Sequence, residues 1–109
     1  MGAKAKRALE RIPEMITPAA ESYAKANGLY ESVMRTKQIV RDVMPGIRAL
    51  TVHLEEDPDE GGYPTICFDI KTPEPVDRLL PLDEALEDAL LEGVPAKDRL
   101  HLTFHYQFE

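Results

Sequence analysis

Apolar positions along this chain change their spacing three times, and each change marks a new element. From Leu29 to Met44 they fall at helical intervals: Leu29, Val33, Val40 and Met44 share one side, with Tyr30, Met34 and Val43 widening the stripe. Pro45-Gly46 ends that helix, and "IRALTVHLEE" then alternates as a strand does, Leu50, Val52 and Leu54 facing one way and Ala49, Thr51 and His53 the other. "YPTICFDIKT" alternates again, with Ile66, Phe68 and Ile70 against Thr65, Cys67, Asp69 and Lys71.

Antiparallel partners share a face, so the two apolar sets fix a hairpin register: Val52 opposite Phe68, Leu54 opposite Ile66, Leu50 opposite Ile70. His53 then falls opposite Cys67. The residues between, Asp57 to Gly62, form the connecting loop, where Gly61-Gly62 can take positive φ. Read as a calcium loop, the same stretch puts Asp57 and Asp59 at the first two ligand positions. Position five is then Gly61, and position twelve is Phe68 where a bidentate Glu is needed, so the tip reads as a turn.

A second amphipathic helix lies in "VDRLLPLDEALEDALLEG", where Leu79, Leu82, Leu86 and Leu90 line one side and Pro81 either starts or kinks it. The last run, "RLHLTFHYQF", sets Leu100, Leu102, Phe104, Tyr106 and Phe108 against His101, Thr103, His105 and Gln107. Before residue 29 the pattern is thin: "AKAKRALERI" is mostly alanine, and "TPAAESYAKANG" offers Thr17 as N-cap, Pro18 at the first helical position and Asn27-Gly28 as a stop.

The order of these elements is α, β, β, α, β. It predicts an α+β two-layer sandwich: a three-stranded antiparallel sheet, first strand central and last strand beside it, with two helices on one face. Residues 1–28 are expected to form a helical N-terminal arm, and 29–109 a single α+β domain. In topology this order resembles half of a ferredoxin-like fold or the αββααβ type of KH domain. The GxxG loop of KH domains does not occur, and "DEGGYP" does not supply it, so the resemblance implies no function.

Composition changes the picture in two places. The net charge of −7 conceals an asymmetry: residues 1–50 carry nine Lys and Arg against five Asp and Glu, whereas 51–109 carry four against fifteen. A basic first half and an acidic second half attract each other, and nucleic acid, if bound, would meet the first. A single cysteine, Cys67, rules out an intramolecular disulfide. With no apolar signal-peptide core, no run long enough to span a membrane and Lys6 where myristoylation requires Ser or Thr, a cytoplasmic location is expected, with no membrane partner.

Candidate chemistry gathers on the sheet face opposite the leucines, where the alternation puts His53, Cys67, His101 and His105 together. Cross-strand neighbours lie about 5 Å apart, within reach of a shared zinc ion, although the short CxxC or HxxxH spacing of zinc motifs is missing. A Cys67–His53 nucleophilic pair would also need an oxyanion hole, and no glycine-rich donor loop is present. In the basic half, Ala24, Gly28 and Leu29 match a helix-turn-helix in part, and the helix that follows carries Arg35, Lys37 and Arg41 as candidate nucleic-acid contacts. GxGxxG, GxxxxGKS and HExxH are all absent.

The expected function is that of a small non-catalytic interaction or regulatory module without a cofactor, self-associating or binding another protein. The alternatives are a nucleic-acid-binding regulator using the basic half and a metal-binding protein using the His/Cys face.

Overall fold

A computed structural model describes residues 14–56 and 64–108. Within them, four helices lie over a four-stranded mixed sheet. The strands are β1 (Glu14–Ile16), β2 (Ala49–Glu55), β3 (Thr65–Thr72) and β4 (Leu102–Phe108); the helices are α1 (Pro18–Ala26), α2 (Tyr30–Val43), α3 (Val76–Gly93) and the single turn α4 (Ala96–Arg99). The sheet order is β1-β2-β3-β4.

The central hairpin has the register that its apolar positions dictate: Leu50 pairs with Ile70, Val52 with Phe68, His53 with Cys67 and Leu54 with Ile66. Leu50, Val52, Ile66, Phe68 and Ile70 are fully buried, and Phe68 stacks on Phe104 with ring centroids 5.2 Å apart. The position a calcium loop would give to its bidentate Glu is therefore in the core. Asp57, Asp59 and the rest of the loop lie outside the described residues, as does the "AKAKRALERI" segment.

Two features differ from the sequence-based architecture. The sheet is not a three-stranded antiparallel one: Glu14–Ile16 adds a strand beside β2, in parallel, with Glu14 opposite Leu50 and Ile16 opposite Val52. The last strand lies in parallel beside β3, with Ile66 opposite Leu102 and Phe68 opposite Phe104. The two differences are linked: β1 occupies the side of β2 where the last strand was expected, and β4 pairs with β3 instead. Both parallel connections cross the same face from strand pairs of opposite direction, so they have opposite hands, and one departs from the usual right-handed preference.

Residues 14–28 also contribute to the common core. Thr17 caps α1, its hydroxyl accepting from the Ala20 amide at 3.2 Å, and Ala20 and Ala24 are buried against the sheet. Gly28, at φ +68°, makes the turn into α2, a conformation costly for any residue with a Cβ. Leu29, Val33, Val40 and Met44 are buried as their spacing predicts. α3 runs without interruption through Pro81 and buries Leu79, Leu86 and Leu90. Its last residue, Gly93, faces α2 so closely that a Cβ there would come within 3.0 Å of Ile39 Cδ1. Ser32 Oγ ties α2 to the α4 turn by donating to Asp98 Oδ2 at 2.6 Å.

Candidate functional site

All the layers described above lie on one side of the sheet. The opposite face carries the alternate residues, and the register brings three histidine and cysteine side chains together: His53 lies opposite Cys67, and Asp69, two residues on from Cys67, lies opposite His105. Polar contacts link them, of which His53–Asp69 is the short one. His53 Nε2 is 2.8 Å from Asp69 Oδ2, while Asp69 Oδ1 faces the Cys67 thiol at 3.9 Å and His105 Nδ1 at 3.8 Å. The other nitrogen of His105 is 4.0 Å from Glu55 Oε2.

Two donor groups have all their ligand atoms within 4.8 Å of one another: His53, Glu55 and Cys67, and Cys67, Asp69 and His105. His101 belongs to neither; it precedes β4, and its carbonyl accepts from the Ile66 amide at 2.7 Å. Exposure is graded across the cluster, from a buried Cys67 to a His105 side chain that is 52% exposed. Burial, and after it the Asp69 and Glu55 carboxylates, push the Cys67 thiol up to about 12. The thiol is thus protonated at neutral pH, the wrong state for a nucleophile. The thiol faces the Asp69 and Glu55 carboxylates, and together with the two imidazoles these groups offer a set of potential metal ligands.

Two of the three basic candidates sit elsewhere. Lys37 Nζ and Arg41 Nε each lie 3.2 Å from a Glu14 carboxylate oxygen, so they tie α2 to β1. Arg35 is on the opposite side of the helix, its stem beside Gly93. The structure does not bring the three together. The outward side of α2 presents Glu31, Met34, Arg35, Gln38 and Asp42, a mixed set without the concentration of positive charge that phosphates require.

A second feature comes from the topology. β4 ends the sheet, seven residues long and without a single Asp, Glu, Lys or Arg. Because Ile66 donates to the His101 carbonyl, the parallel ladder uses the amides and carbonyls of Thr103, His105 and Gln107, and those of Leu102, Phe104, Tyr106 and Phe108 point outward. Beside this edge runs a groove of about 630 Å³ between β4 and α3, its apolar lining made by Leu86, Leu90, Leu91, Leu102, Phe104 and Tyr106. The Tyr106 hydroxyl donates to Asp83 at its rim, and burial followed by that bond raises the phenol above its ordinary range. Leu91 is 62% exposed and Phe108 51%, so the groove is bordered by apolar surface that nothing in the described residues covers.

Fold and face together define a mixed α/β domain in which, among the described residues, the face carrying the polar cluster bears no helix and the β4 edge is left unpaired. Comparison with known proteins adds no family: no protein-family model matches the chain, and no similar curated protein or solved structure is found. Among the described residues no helix is long and apolar enough to cross a membrane.

Proposed function

We propose that the chain is a non-catalytic protein-interaction module that works as a homodimer, joined by antiparallel pairing of β4 with β4 of a second copy. One observation carries this reading: among the described residues the longest free edge of the sheet is an uncharged strand, bordered by a groove lined by leucines and aromatics together with Asp83, Glu87 and Arg99. An unblocked edge is a template for pairing.

A second copy suits this edge because the strand is complementary to itself. A two-fold axis passing beside Phe104 or His105 sets residues of like parity opposite each other, so apolar side chains meet apolar ones and polar meet polar. No charge meets its own copy. The partner's strand would also cover the mouth of the groove, taking Leu91 and Phe108 out of water. A cytoplasmic location belongs to the same reading, since the one cysteine is a buried thiol. The nucleic-acid alternative has less support, because Lys37 and Arg41 are both paired with Glu14.

Sedimentation of the purified protein tests the proposal. A concentration-dependent mass of two chains is expected, falling to one chain in the double variant Leu91→Lys, Gln107→Lys, whose side chains are exposed in the monomer. A wild-type protein that stays monomeric up to about 1 mM, where association would be worth only about 4 kcal/mol, sinks the reading.

A further inference from the structure

The polar sheet face contains a more specific arrangement than an exposed face requires. We propose that Cys67, Asp69 and His105 form a binding site for one zinc-class divalent cation, with His53 holding Asp69 at hydrogen-bond distance and the Glu55 carboxylate facing His105.

Geometry is the first support. Ligands about 2.0 to 2.3 Å from a tetrahedral ion lie roughly 3.3 to 3.8 Å from one another. Asp69 Oδ1 is 3.9 Å from Cys67 Sγ and 3.8 Å from His105 Nδ1, so small side-chain adjustments close the set. The orienting residues are the second. Asp69 uses one oxygen toward the thiol and the imidazole while the other accepts from His53 at 2.8 Å. His105 turns Nδ1 toward the site, and its Nε2 has the Glu55 carboxylate 4.0 Å away, an ionic contact that a small side-chain shift would convert into the carboxylate–histidine hydrogen bond common behind metal-bound imidazoles.

The third support is the platform. Cys67 and Asp69 are alternate residues of β3, a central strand, and His105 is held opposite Asp69 by the ladder, so the donors sit on rigid elements. A sulfur, a nitrogen and an oxygen donor together favour zinc over the all-oxygen shells of magnesium and calcium. Only the Cys67 side is closed. The exposed His105 side gives the ion a way in and leaves a fourth position for water or for a ligand from outside the chain.

Cobalt(II) titrated into the reduced full-length protein reads the site directly. A thiolate-to-cobalt charge-transfer band is expected to saturate at one ion per chain and to be displaced by zinc. It should vanish in Cys67→Ser and weaken about 10- to 100-fold in apparent affinity in His53→Ala. His101→Ala should leave it unchanged. His105→Ala, at a position exposed enough to leave the fold intact, should abolish tight binding. Absence of the band, its survival in Cys67→Ser, or undiminished affinity in His105→Ala overturns the proposal. The Leu91→Lys, Gln107→Lys protein is expected to bind cobalt as the wild type does, so failure of the dimer and failure of the metal site are read separately.

Discussion

The two edges of the described sheet are built by opposite rules. At one, β1 is three residues long, is followed at once by the Thr17-Pro18 start of α1, and has its acidic residue bound by two cations from α2. At the other, β4 is seven residues long, uncharged and bordered by a groove with a largely leucine and aromatic lining. Short strands, prolines and committed charges are the ordinary means by which sheets discourage further pairing. Their presence at one edge and absence at the other make the β4 edge the place to look for an interaction, since the same sheet protects itself elsewhere.

The contrast predicts unequal costs of damage. Phe104→Ala removes the ring that stacks on Phe68 and should destabilise by about 3 kcal/mol, whereas Ile16→Ala, in a strand with three paired residues, should cost about 1 kcal/mol. Denaturant titrations at one fixed protein concentration measure both, because a dimer would make stability depend on concentration. If the two losses are equal, the edges are energetically alike and the comparison fails.

Alkaline pH should act next. Cys67 and Tyr106 both hold their protons in the folded state beyond their ordinary values of 9.0 and 10.0, so unfolding releases protons at high pH. Stability is full below about pH 9 and declines above it, for Cys67 until about pH 12. Chemical denaturation of metal-free protein across pH 7 to roughly 11 checks the sign; a midpoint that rises with pH would contradict the burial of both groups. Glu14→Gln should cost less, about 1 kcal/mol, since the ion pairs it breaks are largely shielded yet Arg41 keeps 39% of its side-chain exposure, and 1 M salt should reduce part of that difference.

The smallest effect concerns association. Each copy carries −7, so two copies repel, and added salt should tighten the dimer a few-fold. An association that weakens with salt would instead mark attraction between opposite charges and move the interface to the basic first half of the chain.

Much of the centre of the molecule was legible in the sequence because its signals are local and periodic. Two alternating runs joined by a turn leave one register that buries both apolar sets, and Leu29, Val33, Val40 and Met44 lie at helical spacing. β1 escapes such reading: Glu14, Met15 and Ile16 are too few to show a period, and a parallel strand has no turn beside its partner to announce it. Missing β1 then misplaced β4. In the polar cluster the positions of His53, Cys67 and His105 followed from alternation, but His101 falls outside both donor groups, and Glu55 and the role of Asp69 did not follow from that pattern. Carboxylates on an outward face look like solvation until the diagonal between His53 and Asp69 is drawn. That diagonal was available from the register alone.

The two parallel pairings also close loops of the same size: Glu14 meets Leu50 and Ile66 meets Leu102, each thirty-six residues on. Equal loops carry about equal closure entropy. Three residue pairs repay it at β1 and seven at β4, so the two ends of the sheet should assemble and open at different times. Amide exchange should therefore be slowest along the β2–β3 hairpin, intermediate in β4 and fastest in β1. Each opening of β1 would expose the backbone of β2 and briefly give the chain a second edge able to pair.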